Sequence, residues 1–246
     1  MSVFLFIPAR MGSSRFPGKP LYKLYGKPMI QWIYEASIKS KADRVFITTP
    51  DKEILEFCKK MHYPCVETSL KHERCLDRIG EAYEYVTPKQ ESDILICMQG
   101  DEPLVQTIMI NKLIDFHLKG NFEFVVSALK INEKEFLNKN IVKVAYDDNF
   151  RTIYTSRSPI PFSSEGYKNA VRIFGLFSLS PLGIRKFINL EVNRLEILEA
   201  CDTNRICGTN LHQFVCIQDT KITQQSVDTK DDALIAEELL RNFHQC

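Results

Sequence analysis

The chain has 246 residues, 44% of them hydrophobic, which is enough to bury a core in one large domain or a domain with an elaborated subdomain and excludes a disordered chain. Its 32 basic residues nearly cancel 31 acidic ones, and a formal net charge of +1 excludes a surface that serves as a whole as a nucleic-acid footprint. The start "MSVFLFIPAR" lacks the cationic leader and long apolar run of a secretory signal, and no segment reaches the roughly 18 apolar residues of a membrane span, so a cytoplasmic protein without membrane insertion is expected.

The first element is the short apolar run Val3–Ile7, "VFLFI", of the kind a strand covered on both faces requires. It is followed by "IPARMGSSRFPGKP", which crowds glycines, prolines, serines and the cations Arg10, Arg15 and Lys19 into a single turn. Met29–Lys39 predicts a helix with Ile30, Ile33, Tyr34 and Ser37 on one face, started by Gly26-Lys27-Pro28. A strand at Arg44–Thr49 leads to a helix over "KEILEFCKKM", for which Asp51 is the expected cap. A third helix is expected from about Glu73 to Tyr85, a strand at Asp93–Met98, and a fourth helix from about Met109 to His117.

This alternation implies parallel strands joined by right-handed crossovers, and therefore an α/β, Rossmann-like, mostly parallel sheet flanked by helices. From Phe122 the pattern turns β-rich, with "FEFVVSALK", "IVKVAYDD", "RTIYTS", "VRIFGLFSLS" and "QFVCIQ" separated by turn signals, before an amphipathic helix from about Asp231 to Asn242. No repeat, linker or composition break divides the chain. The expectation is one domain over 1–246, with a core at about 1–130 and 205–246 and a smaller β-rich lobe at about 131–204.

Cys58, Cys65, Cys75, Cys97, Cys201, Cys207, Cys216 and Cys246 form no C-x-x-C pair, and the five histidines show no H-E-x-x-H spacing. The cysteines read as small core residues of a reducing compartment.

The first loop is not a familiar phosphate loop. Five residues separate Gly12 from Gly18, and Pro20 follows Lys19, which excludes a Walker A loop; Pro20 and Pro28 delay the helix too far for a dinucleotide fingerprint. What remains is a concavity of backbone N–H groups with Arg10, Arg15 and Lys19 supplying charge for an anion. Ligands of such sheets collect at the carboxyl ends of strands, and "QGDEP", Gln99–Pro103, leaves another of those ends. Asp101 is therefore placed to hold a divalent cation that bridges phosphate oxygens, with Glu102 directed elsewhere by strand alternation.

In this order along nearly the whole chain, "IPARMGSSRFPGKPLYKLYGKPMIQWIYE", "QGDEPLV", "NIVKV", "YTSRSPIPF" and "SVDTKDD" resemble the successive blocks of the CMP-Kdo synthetases, the 3-deoxy-manno-octulosonate cytidylyltransferases. The resemblance implies a nucleotidyltransferase fold whose β-rich lobe forms a homodimer. It also implies a CTP- and magnesium-dependent enzyme that couples CMP to a 2-keto-3-deoxy sugar acid for a surface glycan such as lipopolysaccharide or capsule and releases pyrophosphate. By the matching blocks, Ala9, Arg10, Met11, Gly12, Ser13, Arg15, Lys19, Arg74 and Asp77 would meet the nucleotide, with Lys19, Arg10 and Asp101 catalytic. Asp101 and Asp228 would hold Mg2+, and Gln99, Arg157, Glu196 and Glu199 would face the anionic sugar acid.

Three blocks depart from the family pattern. "HERCLDR" keeps His72, Asp77 and Arg78 but has Arg74, Cys75 and Leu76 in place of small polar residues. In "IFGLF", Ile173 takes the histidine position and Phe177 the tyrosine position; the segment resembling L-E-x-L-E-Q-L-R keeps Glu196 and Glu199 but carries Ala200 and Asp202 where glutamine and arginine are expected. These losses strip polar partners from a sugar pocket and open a second reading, a cytidylyltransferase for a modified sugar acid or a phosphonate. A nucleotide-sugar-dependent glycosyltransferase and a silent nucleotide-binding protein are the remaining alternatives.

Overall fold

The computed structural model describes residues 1–120, 122–220 and 223–245. Strand β1 (Val3–Pro8) runs into the long cationic loop, which ends in a small hairpin, β2 (Lys23–Leu24) and β3 (Lys27–Pro28), and then α1 (Met29–Ser37). There follow β4 (Arg44–Thr49), α2 (Lys52–Met61), β5 (Cys65–Glu67), α3 (Cys75–Glu84), β6 (Ile94–Met98) and α4 (Thr107–Gly120). The second half comprises β7 (Phe124–Lys130), α5 (Glu133–Leu137), β8 (Lys143–Tyr146), β9 (Thr152–Ser156), β10 (Val171–Leu179), α6 (Pro181–Ile188), α7 (Arg194–Glu199), β11 (Gln213–Ile217) and α8 (Lys230–Gln245).

The main sheet runs β5-β4-β1-β6-β10-β7-β11. Pairing is parallel from β5 to β6 and again between β7 and β11, while β10 is antiparallel to both β6 and β7. This is the mixed, mostly parallel α/β sheet that the alternation predicts. Strand β1 shows why it forms: Val3, Leu5 and Ile7 enter the core under α1, α2 and α4, whereas Phe4 and Phe6 enter the core under α3 and α6. Both faces are apolar because both are covered. A third cluster packs Ala233, Ala236 and Leu240 of α8 onto Phe16, Leu24 and Met29, so the last helix is fastened over the first loop.

Strand β10 departs from the expected division into core and lobe. It belongs to the segment 131–204 yet lies inside the main sheet, and α6, which follows it, packs on α3. The rest of that segment extends outward, with β8 pairing the start of β10 and β9 pairing β8. Alternating apolar residues cannot distinguish a strand that enters the main sheet from one that leaves it. Helices α6 and α7 went unread although Ser180 and Asn193 cap them through Gly183 and Glu196 N–H groups. Asp51 occupies the N-cap position of α2 but makes no side-chain cap; its carboxylate accepts the Met11 N–H at 2.7 Å instead.

Cys58, Cys97, Cys201 and Cys216 are buried, as core cysteines should be, but Cys65, Cys75 and Cys207 are half-buried; Cys246 lies outside the described residues. No helix among the described residues is long and apolar enough to cross a membrane.

His117 on α4 is buried against the Ser178 hydroxyl at 2.8 Å, and burial pushes its pKa from 6.5 down to about 4. The unfolded chain therefore takes up a proton first as the pH falls. Stability is expected to be full above pH 6.5 and to drop by about 3 kcal/mol on acidification to about pH 4, from this residue alone. Urea unfolding of wild type and His117→Gln across that range checks it, the variant lacking this component of the slope.

Candidate active site

Three chain segments meet at the carboxyl end of the sheet: the loop after β1, the loop after β6 and the approach to α8. Gly100 permits the first meeting, since a Cβ there would stand 2.7 Å from the Pro8 carbonyl oxygen. The Val227 N–H then donates to the Asp101 carbonyl at 2.8 Å. At the junction, the Lys19 ammonium donates to Asp101 Oδ2 at 2.9 Å, to the Val227 carbonyl at 3.0 Å and to Asp228 Oδ1 at 3.5 Å. Arg15 lies 3.0 Å from the second oxygen of Asp228. Burial opposes the Lys19 charge, but the two carboxylates outweigh it and hold its pKa above the ordinary value.

This junction floors a cavity of about 720 Å³. Ala9, Arg10, Ser13, Arg15 and Lys19 line it on the side of the first loop; Met11 and Gly12 do not. The loop is curled by the Met11 carbonyl, which accepts N–H groups from both Ser13 and Gly18 at 2.9 Å. With the Met11, Ser13 and Gly18 N–H groups spent inside the loop or on Asp51, side chains rather than a backbone nest present most of the charge. Arg78, buried below, has its pKa lowered by burial and by the neighbouring Arg10 cation. Asp51 and Glu81 partly offset this repulsion, and the two guanidiniums add positive potential on the side of the cavity where a polyanion would lie.

Asp101 Oδ1 is buried and has no hydrogen-bond partner among the described residues. Asp101 and Asp228 both reach one ammonium, at 2.9 and 3.5 Å, and are the two carboxylates here that could hold a small hard cation, with phosphate oxygens and water completing its shell. No group of three or more acidic, histidine or cysteine side chains suited to a metal occurs among the described residues, so protein ligands alone would not saturate such an ion. Glu102, expected to point away, instead lines the cavity beside Asp101. Its Oε1 accepts from Ser226 Oγ at 2.6 Å and from the Gly175 N–H at 3.4 Å, while burial, opposed by Arg172 and reinforced by Asp101, raises its pKa to about 7. Strand alternation fails because the chain turns immediately after Met98.

Gly175 is a second close approach at this site. A Cβ there would lie 2.8 Å from Gln99 Oε1, 2.9 Å from Gln99 Cβ and 3.0 Å from Glu102 Cγ, at the point where the register of β10 shifts, so Gln99 or Glu102 would have to move. Gln99 lines the cavity with Ile173 and Phe177, and its Nε2 donates to Cys75 Sγ at 3.4 Å.

On the far wall, Arg157 reaches the cavity but directs four donors to backbone carbonyls: Nε to Glu199 at 2.7 Å, Nη1 to Asn140 at 3.0 Å and Lys139 at 3.4 Å, and Nη2 to Ala200 at 3.3 Å. Lys143, fully buried, donates to the carbonyls of Asn138, Ile141 and Arg157. Two cations thus staple the 138–141 segment to β9 and α7. Glu199 lies behind this staple, accepting from Tyr154, Ser156 and the Arg157 N–H, which more than offset burial and lower its pKa.

Asp77 and Glu196 are also withdrawn from the cavity lining. Arg205 binds both, with Nε and Nη2 on the Glu196 oxygens at 2.8 and 2.9 Å and Nη1 on Asp77 at 2.8 Å. Burial opposes the guanidinium charge, yet these hydrogen bonds hold its pKa above the ordinary value. Arg205 and Lys143 escaped sequence reading; a lysine inside the apolar run "IVKVAY" was the one available signal, because a buried ammonium demands partners.

Comparison with known proteins agrees with this geometry. Residues 4–233 match the family model described as cytidylyltransferase. The 3-deoxy-manno-octulosonate cytidylyltransferase of Thermodesulfovibrio yellowstonii is 37% identical over 99% of this chain and 100% of its own. The 8-amino-3,8-dideoxy-manno-octulosonate cytidylyltransferase of Shewanella halifaxensis is 34% identical over 96% of this chain and 98% of its own. A solved structure of CMP:2-keto-3-deoxy-manno-octonic acid synthetase complexed with CTP superposes with a TM-score of 0.86 at 27% identity, covering 97% of this chain and 100% of that one.

The Arg205 cluster gives a stability test. Glu196→Ala would leave the Arg205 guanidinium, only 4% exposed, with Asp77 as its remaining carboxylate, and is expected to lower the unfolding free energy by about 1–3 kcal/mol in urea titration. Arg74→Ala, whose exposed guanidinium lies 3.8 Å from Glu196, should cost less than about 1 kcal/mol.

Proposed function

The chain belongs to the cytidylyltransferase family, and on that footing we propose that it transfers CMP from CTP to a sugar acid of the 3-deoxy-manno-octulosonate class, giving the CMP-sugar and pyrophosphate. The observation that carries this reading is Lys19 lying against both Asp101 and Asp228 at the floor of a cavity rimmed by Arg10 and Arg15. Relatives matched over nearly their whole length act on such acids by name, and the matched synthetase structure holds CTP.

In this mechanism the acceptor hydroxyl attacks the α-phosphorus and the bond to the pyrophosphate oxygen breaks in line. Such a step asks little covalent chemistry of the protein, so positioning and charge neutralisation supply most of the acceleration. Arg10, Arg15 and Lys19 would bind the triphosphate and stabilise the charge that collects on the departing pyrophosphate. Asp101 and Asp228 would hold magnesium, which when bound withdraws charge from phosphate oxygens and orients them. Lys19 would then exchange carboxylate partners for phosphate oxygens, a change its flexible stem allows. Gln99, from the opposite end of the same loop, would face the acceptor.

We also propose a homodimer formed through the 131–204 segment. Phe162, 95% exposed, and Ile153, Ile197 and Leu198, each about two-thirds exposed, are apolar side chains of that segment that a partner chain would cover.

Pyrophosphate release across the four nucleoside triphosphates tests the activity, with CTP expected to be preferred. Asp101→Asn and Lys19→Met should each lower kcat by about 10²–10³-fold; near wild-type turnover by Asp101→Asn would refute the assignment. Light scattering should give twice the chain mass for wild type, and Phe162→Glu should shift it toward the monomer.

A further inference from the structure

Asp202 is one of several acidic side chains lining the cavity that have no part in the mechanism above. Asp202 opens the short turn Asp202–Ile206 and lines the cavity, as do Cys75, Ile173 and Phe177. Its one hydrogen bond among the described residues comes from the Cys75 thiol at 3.5 Å, and a thiol is a weak donor. Cys75 in turn receives the Gln99 amide, so Asp202 stands at the sugar-facing end of the site.

The nearby cations are committed elsewhere. Arg205 spends its guanidinium on Glu196 and Asp77, and Arg74 leans toward Glu196. No cation pairs with Asp202 within ion-pair distance among the described residues, although Arg74 and Arg205 attract it from farther away while Glu196 repels it. Three carboxylates thus share two guanidiniums on this wall, and Asp202, the one without a cation at ion-pair distance, lines the cavity. An acceptor hydroxyl could donate one neutral hydrogen bond there but would leave the carboxylate charge in place. An ammonium group would cancel it and donate a charge-assisted bond.

Resting on the CMP-transfer reading, we infer that the preferred acceptor is a sugar acid bearing an ammonium group, and that the Asp202 carboxylate binds that group. Asp202 stands where the L-E-x-L-E-Q-L-R pattern ends in arginine, so the sign of the charge is reversed at this point. Ile173 and Phe177, apolar residues of the same lining, offer no competing partner for a polar substituent. An amino sugar acid is also named as the substrate of the Shewanella halifaxensis relative.

The test measures pyrophosphate release from CTP at pH 7 with 3-deoxy-manno-octulosonate and with its 8-amino-8-deoxy analogue. Wild type should favour the amino acceptor in kcat/KM by about tenfold or more, chiefly through KM. Asp202→Asn should erase that preference by raising KM for the amino acceptor, with CTP binding by calorimetry verifying that the variant is folded. Turnover that favours the hydroxyl acceptor in wild type overturns the inference by itself, whatever the variant does, as does a preference that survives in Asp202→Asn. Tight CTP binding with no pyrophosphate from either acceptor overturns the CMP-transfer reading and this inference together.

Discussion

The site depends on one partly buried ammonium. Lys19 draws together a loop from the start of the chain, the turn after the fourth parallel strand and the approach to the last helix, segments separated by 82 and 209 residues in sequence. Each partner would be costly to bury alone, and together they neutralise one another at the floor of an open cavity. The packing of α8 over Phe16 and Leu24 fixes Asp228 in reach, so an apolar contact on one side of the loop determines an electrostatic contact on the other. The same arrangement suits exchange of partners: both carboxylates contact the ammonium, and the lysine stem is long enough to follow a phosphate.

The opposite end of the cavity is organised by saturation of cations. Arg157 and Lys143 are tied to backbone carbonyls, and Arg205 is tied to two carboxylates. These bonds rigidify the 138–141 segment and the 199–205 turn, leaving Gln99, Glu102 and Asp202 as groups with capacity to meet a ligand. Arg157 therefore serves as a strap in this conformation, and recognition of a sugar carboxylate by its guanidinium would require it to release carbonyl partners. The two glycines that admit the close approaches, Gly100 and Gly175, set the depth of the floor and the position of Gln99.

The alternation of short apolar runs with 3.6-period segments made the parallel half of the fold legible, because a strand buried on both faces and a helix buried on one leave different patterns in sequence. The cationic loop and "QGDEP" were legible as two halves of one rim for the same reason: parallel strands place their following loops at one end. The antiparallel insertion of β10, the inward turn of Glu102 and the withdrawal of Asp77, Glu196 and Glu199 behind the wall carry no comparable periodic signal. Asp51 is the clearest instance. A helix-cap residue by position, it is claimed by a backbone donor 40 residues away.

The sequence by itself determined the class of sheet, the end of it at which the candidate site gathers, the positive character of the first loop and the acid at the end of β6, all consequences of local pattern and strand direction. Only the tertiary structure decided which charges are spent and which remain available, since that depends on distances between residues far apart in the chain and on burial, which sets what an unpaired charge costs. Arg205 at Glu196 and Asp77, and Asp202 left facing the cavity, are decided in that way.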